Sequence, residues 1–279
     1  MVTASIVVHR TPAGQLRTAL ESLMQGTVEC VYVIDNSSDD SLRVVCREYP
    51  CVRYCHVENR GFGAGHNIAL RKAIEGGSDY HIVMNADVVW KGDIVADIVR
   101  YMECNRDIGL LAPRVYYPDG VLQYSCRMLP TPFVLFQKRF LPQWLSRRRL
   151  DRYLLADSDH SQSFDCPYLL GCFMFFRVDA LKEVGLFDER FFMYPEDIDI
   201  SRRMSRRYRS VYWPGANIVH EHAAASRHDL RMLWIHLSNM VRYFNKWGWF
   251  IDKERRLMNR RLMENLPRIS NRTRPVGRG

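Results

Sequence analysis

The stretch Phe191-Phe192-Met193-Tyr194-Pro195-Glu196-Asp197-Ile198-Asp199 sets three carboxylates at an expected helix start, directly after apolar and aromatic residues. A helix N-terminus favours carboxylates, so capping accounts for one of them. Three acids against an aromatic wall also suit a site where a partly desolvated carboxylate acts as a base. Glu196 and Asp197 are the candidates. Upstream, Asn85-Ala86-Asp87 leaves a buried apolar run. A carboxylate there can hold Mg2+ or Mn2+ together with phosphate oxygens, although turns use the same residues. His220-Glu221-His222 closes another β-branched run, and His220 is the imidazole expected to face a metal.

Asp35 and Asn36 end the run Val31 to Ile34. A carboxylate at that place can accept from the ring N–H of a pyrimidine, or it can hold a turn. Asn59-Arg60-Gly61-Phe62-Gly63-Ala64-Gly65-His66-Asn67 is a glycine-rich loop entering a helix. Glycines permit close backbone approach, and a helix start favours phosphate. The spacing is not G-x-G-x-x-G and the loop follows the third strand, not the first, which argues against a dinucleotide site. Displacing a nucleoside diphosphate needs an acceptor for the base, cations for the diphosphate and a base for the attacking hydroxyl. These segments offer all three.

The elements that must position them alternate over the first 113 residues. Strands are expected at Ser5–His9, Cys30–Asp35, Val52–Val57, Tyr80–Asn85 and Gly109–Pro113, with helices at 12–24, 41–48, 63–74 and 94–104. Continuous apolar strands between helices mean a parallel sheet covered on both faces, and such sheets bind ligands beyond the carboxyl ends of their strands. Further on, Val115–Val121 reads as a hairpin with an Asp-Gly turn. Residues 128–165 have weak periodicity and are expected to be a mobile insertion or acceptor loop. Leu170–Arg177 reads as a strand, 178–184 and 196–207 as helices, and 210–213 and 216–220 as short strands around Pro214-Gly215. Residues 227–247 carry apolar residues at helical spacing.

In chain order, VIDNSS, NRGFGAGHN, MNADV, GCFMFFR, FDERFFMYPEDIDISRR and IVHEHAAAS resemble the family-2 glycosyltransferases with a GT-A fold, and within them the rhamnosyltransferase-type branch. The resemblance runs over roughly residues 3–250. It implies an α/β GT-A fold: a Rossmann-like, mostly parallel central sheet flanked by helices, with a C-terminal helical extension. It implies an inverting transfer from a dTDP- or UDP-linked sugar to a glycan or polyprenyl-diphosphate-linked acceptor. By position, Asp35 matches the acid that contacts the nucleotide base. Asp87 matches the last acid of the metal motif, whose first position is Asn85 here. Asp197 matches the catalytic base with Glu196 beside it, His220 the histidine that completes the metal shell, and Gly171 a glycine near the acceptor. Asn36, Asn59, Gly63 and Asn67 complete the expected nucleotide-sugar contacts. Glycines usually follow the histidine in this family; Ala223, Ala224 and Ala225 stand here.

The layout follows: a catalytic domain over 1–226 (nucleotide-binding half 1–113, acceptor half 114–226), amphipathic helices over 227–266, and a disordered tail over 267–279. The 279 residues are 47% apolar and 25% charged, a globular composition. No apolar leader or run near 20 residues is present, so a cytoplasmic protein is expected. The eight cysteines read as reduced structural residues. The net charge of +9 gathers at Arg147–Arg149, 202–209 and beyond Arg255. No nucleic-acid motif accompanies it, and peripheral contact with an anionic membrane through the basic C-terminal region is the reading it allows. A nucleotidyltransferase would place its glycine-rich loop after the first strand, where His9-Arg10-Thr11-Pro12 stands. A degenerate nucleotide-sugar-binding protein would lack Asp87 or Asp197, and both are present.

Overall fold

The computed structural model describes residues 1–140, 143–221, 230–268, 277 and 278. His222, Ala223 to Ala225, the 226/227 boundary and most of the expected tail lie outside the described residues. The chain runs β1 (Val2–Val8), α1 (Ala13–Met24), β2 (Cys30–Asp35), α2 (Arg43–Arg47), β3 (Val52–His56), α3 (Phe62–Glu75), β4 (Tyr80–Met84), β5 (Val88–Val89), α4 (Ile94–Cys104) and β6 (Ile108–Tyr116). It continues through β7 (Leu122–Gln123), β8 (Cys126–Arg127), α5 (Pro132–Phe140), α6 (Gln143–Tyr153), β9 (Phe164–Asp165), β10 (Tyr168–Leu169), β11 (Phe173–Arg177) and α7 (Val178–Val184). It closes with α8 (Glu196–Met204), β12 (Arg209–His220), α9 (Leu230–Trp247), α10 (Lys253–Asn265) and β13 (Gly277–Arg278).

The apolar runs of β1, β2 and β4 are buried on both faces, which only a covered sheet allows. β3, β2, β1 and β4 pair in that order and in parallel. β11 then inserts antiparallel between β4 and β6, and β12 runs parallel to β6. One sheet therefore crosses the expected 113/114 division. Pro214-Gly215 does not split two strands; it sits in a register shift of β12 between Trp213 and Asn217. The Asp-Gly hairpin joins β6 to β7 as expected.

The expected irregular insertion over 128–165 is instead largely helical. Thr131 Oγ1 accepts from Val134 N–H at 3.2 Å and Pro132 opens α5, an ordinary helix start. The helical period was masked because α6 is polar on most sides, with four Arg among its residues. The segment is pinned to α10 by Asn259, whose side chain bonds both N–H and C=O of Leu129. Tyr243 and Phe244 of α9 bury themselves against Leu129, Tyr153, Tyr168, Phe191 and Ile198, so α9 shares a core with the elements between 128 and 204. All eight cysteines are free; Cys104 is exposed and Cys46, Cys126, Cys166 and Cys172 are buried.

Candidate active site

β4 is buried at all five positions between β1 and β11, so its first place for a polar side chain is past its carboxyl end. Asn85, Ala86 and Asp87 occupy that place. Asn85 N–H donates to Cys172 O at 2.9 Å, and Glu221 N–H to Asp87 O at 3.0 Å, which ties the end of β4 to β11 and β12. His220, the last residue of β12, lies with Nε2 3.3 Å from Asp87 Oδ1 and 3.5 Å from Asn85 Nδ2. Its Nδ1 donates to Gln123 Oε1 at 2.9 Å, which fixes the ring. Residues i and i+2 share a strand face, so alternation does not choose between His220 and His222. The choice rests on β12 ending at His220, beside Asp87.

Asp87 Oδ1 is buried, and the group nearest it in charge is the His220 imidazole at 3.3 Å. Burial opposes charge on His220, but Cys172 and Asp87 outweigh it and push the imidazole up to about 10. The spot is built for positive charge: a proton, or a divalent ion that displaces it. Asp87, His220 and Asn85 thus fit Mg2+ or Mn2+. Among the described residues no third His, Cys, Asp or Glu joins them. Two protein ligands, with phosphate and water completing the shell, is ordinary for an ion that works on a diphosphate.

Glu196, Asp197 and Asp199 fall in the first turn of α8, whose N-cap is Pro195. None of them is the cap, and they behave differently. Asp199 is structural: Trp247 Nε1 donates to it at 2.8 Å, Arg203 Nε at 2.9 Å and Lys246 Nζ at 2.6 Å. Asp197 accepts from Ile198 N–H at 2.8 Å, Gly171 N–H at 3.2 Å and Tyr168 Oη at 3.4 Å. Burial raises its pKa, and these donors, with Arg127 nearby, work against the rise. Glu196 is buried, its Oε2 has no partner, and burial beside Asp197 holds its carboxyl well above the usual range. The donors therefore place the pair's negative charge on Asp197 and its proton on Glu196.

The third group closes the opposite end. Asp35 is fully buried and accepts from Ser37 N–H at 2.8 Å and Tyr54 Oη at 2.7 Å, so in this structure it holds a turn. Its neighbour Asn36 lines a cavity of about 360 Å3 with Val57, Arg60, Ala64 and Arg71, and Asn36 Oδ1 is buried without a partner. Asn36 Nδ2 reaches Asn59 Oδ1 at 3.5 Å, and Asn59 Oδ1 also accepts from Gly61 N–H at 3.1 Å. The open acceptor at this strand end is Asn36.

Two residues expected to contact the donor are occupied by packing. Asn67 is buried; its amide donates to Phe187 O and Glu189 Oε1 and accepts from Phe187 N–H. A Cβ on Gly63 would stand 2.9 Å from Phe187 Cβ and 3.6 Å from Glu196 Cβ, so this glycine lets α3 lie against the start of α8. Gly171 is also more than a clear entrance. It donates to Asp197, and an added Cβ would stand 3.2 Å from Asp197 Cβ. Gly61 is the tightest joint. Its φ is +101°, and a Cβ there would fall 2.0 Å from Phe192 O, the atom that accepts from Phe62 N–H at 2.9 Å. Gly61→Ala should destabilise the fold by at least ~1–3 kcal/mol and slow catalysis through the displaced 192–197 segment. Thermal melting and a rate assay on the variant check this; wild-type values in both would refute it.

The structure thus joins Asn36 to Asn59, Asn85 and Asp87 to His220, and Gly171 and Glu196 to Asp197. The second and third groups meet where Gly171 and Cys172 adjoin the end of β4, and α3 links the third to the first. Sequence reasoning missed Tyr168, Arg127 and Gln123, which sit on two-residue strands with no periodicity to reveal them.

A buried acid pair and a carboxylate–imidazole pair, gathered near the carboxyl edge of one mostly parallel sheet, suit a group transferase of the GT-A type. The profile of glycosyl transferase family 2 matches residues 5–185, and the chain belongs to that family. It is a glycosyltransferase. Among curated relatives, the N-acetylglucosaminyl-diphospho-decaprenol L-rhamnosyltransferase of Mycobacterium tuberculosis is 29% identical over 238 residues, 80% of this chain and 77% of that protein. Rhamnosyltransferase WbbL of Escherichia coli is 26% identical over 249 residues, 86% of this chain and 87% of that one. Among solved structures, GalNAc-T7 with UDP, GalNAc and Mn2+ superposes with a TM-score of 0.63 at 16% identity, over 88% of this chain. This chain spans about half, 48%, of that one. The expected fold and rhamnosyltransferase-like branch are borne out. Among the described residues no helix is long and apolar enough to cross a membrane.

Proposed function

We propose that this enzyme moves L-rhamnose from dTDP-L-rhamnose, or otherwise a hexose from a UDP-sugar, to a glycan or polyprenyl-diphosphate-linked glycan in cell-surface polysaccharide synthesis. The two rhamnosyltransferase relatives support the sugar, and the name of the first supports a lipid-linked acceptor. The single observation that carries the chemistry is Asp197, a carboxylate that accepts from three donors beside Glu196, whose carboxyl burial holds well above the usual range.

Asp197 takes the proton of the acceptor hydroxyl as its oxygen bonds to the anomeric carbon. The bond from that carbon to the diphosphate oxygen breaks in the same displacement, so the configuration inverts. Mg2+ or Mn2+, held by Asp87 and His220 with Asn85 alongside, would offset the charge of the departing diphosphate. Asn36 Oδ1 offers the acceptor for the base N–H, with Asp35 behind it holding the turn, and Asn59 orients the Asn36 amide. Gly171 and Tyr168 keep the Asp197 carboxylate aimed. The enzyme works in the cytoplasm, peripheral on the inner face of the membrane, and touches it through the basic C-terminal region.

The test is nucleotide release from UDP-, GDP- and dTDP-sugars with Mg2+ or Mn2+. Release from dTDP-L-rhamnose should exceed the others by roughly tenfold or more, since each lost polar contact to a base or sugar is worth about 1–3 kcal/mol. Preference for a GDP-sugar would reject the donor assignment. EDTA and His220→Ala should each lower the rate by roughly 100-fold; full activity in EDTA would remove the metal from the account.

A further inference from the structure

Exposed apolar side chains are not spread evenly. Of the twelve large ones among the described residues, nine lie in the helices and loop of one layer: Phe133 and Phe136 on α5, Trp234, Leu237 and Val241 on α9, Trp249 to Ile251 between α9 and α10, and Leu257 on α10. The underside of this layer is packed. Val134 and Leu135 of α5 meet Met240, Tyr243, Phe244 and Trp247 of α9 in one core cluster. Trp247 therefore belongs to the packed side of α9. The outer stripe Trp234, Leu237, Val241 follows i, i+3, i+7, the spacing of a single helix face, and Phe250 and Ile251 project furthest, 75% and 79% exposed.

Cations accompany the apolar tips. The Arg149 guanidinium sits 5.0 Å over the Phe133 ring, and Arg256 donates to Phe250 O at 3.3 Å. Residues 130–150 hold five Lys and Arg and no Asp or Glu. The acids nearest the projecting loop, Asp252 and Glu254, are turned inward to Arg202 and Arg206. A surface of aromatic and aliphatic tips, with Arg149 beside Phe133 and Arg256 beside Phe250, complements an interface whose depth is hydrocarbon and whose rim is phosphate.

We propose that α5, α9 and the 249–251 loop form a docking face for an anionic phospholipid bilayer, with Phe133, Phe250 and Ile251 entering the interface and Arg149 and Arg256 at the phosphates. This deepens the lipid-linked acceptor reading and rests on it for its purpose. It also extends the contact from the basic C-terminal region to a composite face that includes the helical insertion.

The test floats the full chain with vesicles of pure phosphatidylcholine and of phosphatidylcholine with about 30% phosphatidylglycerol, at moderate salt. The chain should float with the anionic vesicles and remain behind with the neutral ones. Phe250→Ser/Ile251→Ser and, separately, Phe133→Ser/Phe136→Ser should each weaken anionic binding by roughly tenfold or more, with donor hydrolysis and melting temperature unchanged. The proposal is overturned if anionic vesicles do not bind the wild type, if both double variants bind as well as it does, or if they change only its self-association. Wild type that floats but releases no nucleotide from any sugar donor would count against the transfer reaction and leave the docking face standing.

Discussion

Asp197→Asn should lower sugar transfer by roughly 10^3-fold, within the usual 10^2–10^4 range for loss of a general base, while nucleotide-sugar binding stays near wild type. The amide keeps the side chain's size between Gly171, Ile198 and Tyr168 but cannot take a proton. Glu196→Gln is the informative partner. Glu196 already holds its proton, because it is buried, lies against Asp197 and has no donor at Oε2. A neutral amide there should leave transfer within about tenfold of wild type, since the charge it would have to replace is not present. The two variants also differ in pH behaviour. Glu196 binds its proton more tightly in the folded than in the unfolded chain, so its contribution to stability is complete below the unfolded carboxyl pKa. It is lost as pH rises from there through the raised folded value. Glu196→Gln should therefore flatten the fall in melting temperature on the alkaline side of that window. If Glu196→Gln is as dead as Asp197→Asn and the fall persists, the charge sits on Glu196 and the base assignment is reversed.

How much of this was visible in the residues follows from how each signal arises. The strand ends were legible because β1, β2 and β4 are continuous apolar runs, and a buried strand can turn polar only where it leaves the sheet. That rule located Asp35, Asn85 and Asp87. It does not say which way a side chain faces once there, so Asp35 and Asn36 exchanged prominence: one is enclosed by Ser37 and Tyr54, and the other keeps an open acceptor. Gly63 and Asn67 show the same limit. A glycine that admits Phe187 and one that admits a phosphate read alike in sequence, and an asparagine bound to Phe187 and Glu189 reads like one bound to a sugar. Asp199 read only as one of three acids at a helix start, and its packing role appears once Trp247 and Lys246, distant in the chain, come to meet it. The α5–α6 pair was missed because four of the eleven residues of α6 are Arg, which blurs the apolar stripe that marks a helix.

That meeting of α8 with the C-terminal helices leads to the second large effect. Arg202 is 1% exposed and makes a bidentate pair with Asp252, both bonds at 2.7 Å, and a further bond to Glu254 at 2.8 Å. Its guanidinium lies 4.1 Å over the Trp247 ring. Asp252 in turn caps α10 by accepting from Arg255 N–H at 2.9 Å. Removing one partner of a buried pair strands the other charge without water, which costs about 3–5 kcal/mol. Arg202→Ala should therefore lower the melting temperature by roughly 10 °C, whereas Arg206→Ala, half-exposed on the same Glu254, should change it little. Arg202→Met/Asp252→Leu should recover most of the loss, less about 1 kcal/mol for the α10 cap that Asp252 provides, since an apolar pair replaces a buried ionic one. Activity should follow stability only in part. Arg202 sits one and a half turns along the helix that begins with Glu196 and Asp197, and Asp199 lies between them, bonded to Trp247 and Lys246. The apolar double variant restores the packing but not the fixed fork that sets the helix against Asp252. Its melting temperature should approach wild type while its rate stays several-fold low. If rate and stability return together, the C-terminal helices supply stability alone and do not aim the catalytic turn.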